Sequence, residues 1–264
     1  MPILDLLGFL LTGVLSGLLA GLFGVGGGTI MVPALIFLFG HLGIGGDWVP
    51  QLAIGTSLAT IIGTGAASAL AHHRRGAVRW DLVAGLAPGI VFGTWGAAVV
   101  AGWLPGLWLK RLFAGFLTYV GVRILVPGRA VAHRPMPGRA GLWAVGGGIG
   151  ALSALVGIGG GTLTVPFLAR CGLDLRHAVG TSAACGLPIA IAGAIGYMVV
   201  GWGRAGLPAA STGFVYWPAV VLMLLASMPA APLGARLAHT LPVDLLKRAF
   251  GVFLLLIAAR LAFG

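Results

Sequence analysis

An all-α, polytopic membrane bundle built from two related halves is the fold that three observations predict. First, 59% of the 264 residues are hydrophobic and only 8% are charged, against roughly a quarter charged in an average soluble domain, so a water-facing surface cannot be assembled. Second, apolar stretches of about 20 residues recur along the chain, the length that crosses roughly 30 Å of hydrocarbon at 1.5 Å per residue. Third, a ten-residue glycine-rich block occurs twice. A membrane β-barrel is disfavoured, because its strands alternate in polarity over about ten residues, whereas runs such as 80–101 are longer and continuously apolar.

The first segment, 4–24, carries Asp5 as its only early charge, the wrong sign for a signal peptide's n-region, and reads as a membrane helix. Segment 29–44 follows the first glycine block and contains Pro33. Segments 50–71, 80–102 and 108–126 complete a first repeat, 1–126, and a basic linker at 127–140 leads to a second, 141–264. That repeat offers 141–157, 162–169, 178–200, 213–235 and 245–263. Segment 162–169 is far too short to span, so it reads as a half-helix buried against its neighbours, giving eight to ten membrane segments.

Duplication rests on landmarks in register. The block Gly24-Val25-Gly26-Gly27-Gly28-Thr29-Ile30-Met31-Val32-Pro33 returns as Gly157-Ile158-Gly159-Gly160-Gly161-Thr162-Leu163-Thr164-Val165-Pro166, identical at seven of ten positions. Gly55-Thr56-Ser57 returns as Gly180-Thr181-Ser182, and Leu104-Pro105 followed by Lys110-Arg111 returns as Leu241-Pro242 followed by Lys247-Arg248. Five segments per half would invert the second half relative to the first. If all ten cross, twelve of the 16 Lys and Arg residues collect on one side, including Arg74, Arg75, Arg79, Arg123, Arg170 and Arg176. That asymmetry marks the cytoplasmic face. If 29–44 and 162–169 only dip in and return, the division is nine against seven.

Glycine is a weak helix former and proline lacks a donor, so the expected helix breaks lie at the glycine blocks with Pro33 and Pro166. Such breaks are tolerated at membrane depth only where protein or a cavity satisfies the freed backbone groups, which is where transporters place substrates. A half-helix starting at Thr29 or Thr162 would aim free N–H groups and the positive end of its dipole at the break, a field that suits an anion. The five acids are all Asp, all near segment ends, with no Glu or Asn in the chain. The expected substrate site is therefore Gly24, Gly26, Gly27, Gly28 and Thr29 with Thr56 and Ser57, and Gly157, Gly159, Gly160, Gly161 and Thr162 with Thr181 and Ser182. The competing reading is close packing by small residues at helix crossings, to which Ser68, Thr94 and Thr118 are assigned. His177, four residues before Thr181, could reach the mouth of the second break.

Other functions fit less well. The net charge of +11 sits in short loops, as expected beside anionic lipid rather than nucleic acid. Cys171 and Cys185 have no metal-type spacing, and His72-His73 lacks a converging carboxylate. Gly24-Val25-Gly26-Gly27-Gly28-Thr29 departs from a dinucleotide fingerprint at its last position and has no strand before it. An intramembrane enzyme would need clustered His or carboxylates, and the histidines are scattered. A passive anion channel stays open as an alternative to a carrier, and homo-oligomerisation is left open too.

The paired Gly-x-Gly-Gly-Gly-Thr blocks before a proline, the Gly-Thr-Ser blocks and the loop Arg75-Gly76-Ala77-Val78-Arg79-Trp80 together resemble the TauE/SafE family of sulfite exporters over nearly the whole chain. The resemblance implies a multi-pass inner-membrane carrier for a small sulfur-containing anion, sulfite or a sulfonate, working without ATP or an organic cofactor. It also implies functional weight on both glycine blocks, on Pro33 and Pro166, and on both Gly-Thr-Ser blocks.

Overall fold

The computed structural model of the chain describes residues 3–23, 27–126, 135–240 and 243–263. Gly24, Gly26 and most of the expected linker lie outside the described residues. Each of the ten apolar segments is a helix: α1 Ile3–Phe23, α2 Gly28–His41, α3 Val49–Arg74, α4 Trp80–Trp103, α5 Gly106–Leu125, α6 Arg139–Val156, α7 Gly161–Arg170, α8 Leu175–Val200, α9 Trp217–Thr240 and α10 Val243–Phe263. Between α8 and α9 a short hairpin, β1 Ser211–Thr212 and β2 Val215–Tyr216, pairs Ser211 with Tyr216 and Thr212 with Val215. Five helices are long and apolar enough to cross a membrane: α4, α6, α8, the first 18 residues of α9, and α3 with the turn before it. The chain is therefore an all-α multi-pass membrane protein, with every helical backbone bond closed inside its own segment, as hydrocarbon requires.

Local chemistry sets the ends. Pro50 sits in the first turn of α3, where its missing N–H costs nothing. Asp174 caps α8 by accepting from the His177 N–H. Gly157 ends α6 in the left-handed conformation, φ +70°. α7 has ten residues, about 15 Å at 1.5 Å per residue, and is the half-helix expected from its length. One expectation needs correction: Pro33 and Pro166 do not break helices but lie inside α2 and α7. Each is the sixth residue of its helix, past the first turn, so it forgoes one i→i−4 bond, a loss that a membrane helix tolerates where neighbouring segments cover the freed carbonyl.

Packing follows glycine faces. α1 lies along α9, with Gly13 against Met223 and Ala226 and Gly17 against Ser227 and Ala230. α4 lies along α6, with Gly89 against the Trp143 carbonyl and Gly93 against the Gly147 carbonyl. Gly85, Gly89 and Gly93 face Leu142, Trp143 and Gly147, and Gly146 and Gly150 in turn face Leu86 and Ile90; this four-residue spacing is the small-residue pattern that lets helix backbones touch in lipid. In both pairs the contact numbers rise together, so the partners run in the same direction. α3 and α8 pair antiparallel at the centre, Gly55 meeting Tyr197, Leu58 meeting Gly193 and Gly65 meeting Leu187. α5 pairs with α10. Matching α1 to α6, α3 to α8, α4 to α9 and α5 to α10 by their sequence landmarks exchanges these contacts among themselves. The central core gathers Leu52, Ile54, Leu58, Ile189 and Phe214, with the fully buried Tyr197 hydroxyl donating to the Ala154 carbonyl at 3.0 Å.

Candidate functional site where the glycine breaks meet

The two breaks touch. A Cβ added to Gly28, the first residue of α2, would lie 2.8 Å from both the Gly157 oxygen and Ile158 Cα. Gly157 is equally confined, since its own Cβ would come within 2.7 Å of Val32 Cγ2 and 3.1 Å of Ile54 Cα. Ser57 closes the junction by donating to the Gly157 carbonyl at 2.8 Å, a buried bond between residues 100 apart in sequence. With side chains at these positions the two halves could not approach this closely.

Each half-helix starts alike. The Gly27 carbonyl accepts from the N–H groups of Ile30 and Met31 at 3.1 and 3.0 Å, and the Gly160 carbonyl accepts from Leu163 and Thr164 at 3.2 and 2.8 Å. Neither start has a side-chain cap. The N–H groups of Gly161 and Thr162 find no acceptor among the described residues, so the positive end of the α7 dipole is uncompensated. Thr29, Thr56, Ser57, Thr181 and Ser182 are each at most 1% exposed, and no carboxylate lies among them.

The Gly-Thr-Ser blocks do more than line the junction. Thr56 Oγ1 accepts from the Tyr216 N–H at 3.0 Å, and Thr181 Oγ1 accepts from the Arg79 N–H at 3.0 Å. Gly55 and Gly180 sit where a Cβ would run into the carbonyls of Phe214 and Ala77 respectively. Each block therefore clasps the strand of chain that leads into a helix of the other half: β2 before α9, and residues 77–79 before α4. Removing the Thr181 acceptor strands a part-buried N–H, a loss of about 1–3 kcal/mol. Thr181→Val is accordingly expected to lower the midpoint of thermal unfolding in detergent, and Thr181→Ser to restore it.

Three hydroxyls at the second break, those of Thr162, Thr164 and Ser182, are buried with no partner among the described residues. Thr164 escaped sequence reasoning because its counterpart, Met31, has no hydroxyl; being two residues past Thr162 in a half-helix was the available signal. Space is tight here: a Cβ on Gly160 would be 3.0 Å from Thr164 Oγ1. Thr94 and Ser153 also hold unpartnered buried hydroxyls, but in the α4–α6 region, while Thr118 donates to the Ala114 carbonyl at 2.9 Å. His177 is occupied at the start of α8, its Nδ1 2.6 Å from Asp174 Oδ1, and this contact holds the Asp174 carboxyl below the usual carboxylate range. His73 Nδ1 accepts from Trp80 Nε1 at 3.1 Å. Among the described residues no three His, Cys, Asp or Glu side chains converge to hold a metal.

The family description Sulfite exporter TauE/SafE matches residues 9–261. The chain belongs to the TauE/SafE family. Similar family relatives span it almost end to end. It is 36% identical over 257 residues to a probable membrane transporter protein of Haemophilus influenzae, covering 96% of each chain. It is 28% identical to the probable membrane transporter protein YdhB of Bacillus subtilis, over 89% of this chain and 91% of that one. It is 29% identical to the probable membrane transporter protein MJ0441 of Methanocaldococcus jannaschii, over 88% and 82%. No solved structure matches. Family and fold together make this chain a multi-pass membrane transporter.

Proposed function

We propose that this transporter exports a small sulfur-containing anion, sulfite or a sulfonate, across the inner membrane, holding it where the two glycine breaks meet. The observation that carries this reading is the contact of Gly28 with Gly157 and Ile158, which sets the start of α2 against the end of α6, where the chain turns towards α7. Uncapped N–H groups at α7 and the hydroxyls of Thr162, Thr164 and Ser182 supply donors for oxyanion oxygens. Hydroxyls and N–H groups hold an anion more weakly than a buried guanidinium would, which suits a ligand that has to leave.

The exchange of contacts between equivalent helices, with α3 and α8 antiparallel at the centre, supports an inverted repeat whose halves rock about the shared site. The near-complete burial of Thr29, Thr56, Ser57, Thr181 and Ser182 favours alternating access over an open channel. Energetics favour export, because an inside-negative potential is worth about 2.3 kcal/mol per charge per 100 mV, so a dianion leaves downhill by roughly 4–5 kcal/mol per 100 mV.

The test is efflux from proteoliposomes loaded with sulfite while the membrane potential is clamped. Saturable efflux that quickens as the interior is made negative is the expected result, with no need of a proton or sodium gradient. Absence of flux with both sulfite and short alkylsulfonates would remove the sulfur-anion assignment, and flux that collapses with a proton or sodium gradient would remove the uncoupled mechanism.

A further inference from the structure

A pocket carrying two arginines lies between α5 of the first half and α7 of the second. Thr162, Pro166 and Arg170 stand four residues apart on one face of α7, and Tyr119 and Arg123 stand four apart on α5; together with Phe167 they line a pocket of about 190 Å³. Among the described residues its two guanidinium groups have no competing carboxylate. No acid lines the pocket, and the ion pairs found among the described residues are Arg79–Asp81 and Asp174–His177. Thr162 lies at the other end of the pocket from Arg170, with its hydroxyl buried and unpartnered, one residue beyond the Gly160–Gly161 start of α7. Eight residues of helix separate Thr162 from Arg170, roughly 12 Å. The pocket thus connects the second break to the end of α7, the end where Arg176 donates to the Arg75 carbonyl at 2.6 Å and the basic loops gather.

The equivalent place between α10 and α2 is arranged differently. By the Leu-Pro landmarks Arg123 corresponds to Arg260, and by the glycine blocks Arg170 corresponds to Phe37. There the single guanidinium is stacked over the aromatic ring, Arg260 Cζ lying 4.9 Å from the Phe37 centroid, an arrangement that occupies the cation. Among the described residues, the α5–α7 pocket holds two arginines without an ion-pair or ring partner, whereas Arg260 is stacked.

We infer that the pocket between α5 and α7 binds an oxyanion on the basic face, Arg123 and Arg170 holding its oxygens, Tyr119 and Phe167 taking a short apolar tail, and Thr162 receiving it towards the break. Two sources share this chemistry: a soluble sulfate- or sulfonate-type anion, and the phosphate of an anionic lipid. The site's link to transport rests on the exporter reading above; its binding chemistry does not.

The full-length protein in phosphatidylcholine nanodiscs tests this through phenylglyoxal modification of its arginines, followed by peptide mass spectrometry. Ethanesulfonate or sulfate, at about ten times its Kd, is expected to slow modification of Arg123 and Arg170 about tenfold, while Arg260 reacts at an unchanged rate. Slowing that requires phosphatidylglycerol in the nanodisc assigns the same site to a lipid phosphate. Unchanged rates at Arg123 and Arg170 in both lipids overturn the inference. In proteoliposomes that show efflux, Arg123→Gln and Arg170→Gln raise KM with little change in maximal rate if the ligand is the substrate. They abolish any phosphatidylglycerol dependence if it is lipid. Because labelling is read without flux, a parent protein that carries no sulfite would sink the exporter reading and leave the pocket's assignment standing.

Discussion

Gly160→Leu is expected to reduce anion efflux to background while the protein still folds in the membrane. A Cβ at this position meets Thr164 Oγ1 at 3.0 Å and Ile189 Cδ1 at 3.1 Å, both ends of side chains, and the nearest backbone atom, the Ser182 oxygen, lies farther off at 3.6 Å. The added isobutyl group therefore fills the place where the second half-helix begins without driving backbones apart. Overpacking of this kind costs about 1–3 kcal/mol of stability, less than the roughly 5–15 kcal/mol of a folded domain, so the expected loss of efflux comes from the filled space and not from unfolding. Gly27→Leu is expected to act alike but with some loss of stability, because there the Cβ also meets Ser16 Cβ and its carbonyl oxygen at 3.2 Å. The check is the initial rate of efflux from proteoliposomes at matched protein density, with size-exclusion profiles beside it. A monodisperse Gly160→Leu protein that transports at the parental rate would place the substrate elsewhere.

Gly93→Leu is expected to do the opposite: to destroy the fold rather than the site. On the α4 face turned to α6, its Cβ would run into the Gly147 carbonyl and carbonyl carbon, as one on Gly89 would run into Trp143. Backbone atoms of a packed helix cannot swing aside as a side-chain tip can, so the cost reaches or exceeds the upper end of the usual overpacking range, about 3 kcal/mol. Gly96 is the control, three residues along the same helix, because nothing lies within 4 Å of its added Cβ. Gly96→Leu is expected to stay within about 0.5 kcal/mol of the parent. Thermal unfolding of the three proteins in one detergent measures the difference, and equal midpoints would show that α4 and α6 do not depend on this close approach.

The sequence alone shows much of this. Ten apolar segments are visible and ten α-helices lie among the described residues, since hydropathy and segment length are properties of contiguous residues and lipid offers the backbone no alternative partner. The half-helix α7 was legible from the shortness of its apolar run. Pro33 and Pro166 misled, because a proline inside a membrane helix forgoes one backbone bond without ending the helix when neighbouring segments pack around it. The Gly-Thr-Ser blocks were legible as a repeated pair, yet what Thr56 and Thr181 contact was not. Their oxygens accept from Tyr216 and Arg79, 160 and 102 residues away, and no local pattern records so distant a donor.

Residue chemistry taken one stretch at a time was thus enough to determine a membrane-embedded, helical, duplicated chain with a glycine-rich block ahead of α2 and of α7. Burial of apolar length and intolerance of unsatisfied backbone are local requirements, and a repeat is visible in one dimension. Only the tertiary structure decided that Gly28 rests on Gly157, that Ser57 closes the junction, that Thr164 joins Thr162 and Ser182 as an unspent hydroxyl, and that Arg123 and Arg170 share a pocket while Arg260 is stacked on Phe37. Those facts depend on which backbones approach within contact distance across the bundle, and that is set by packing between segments rather than by any one of them.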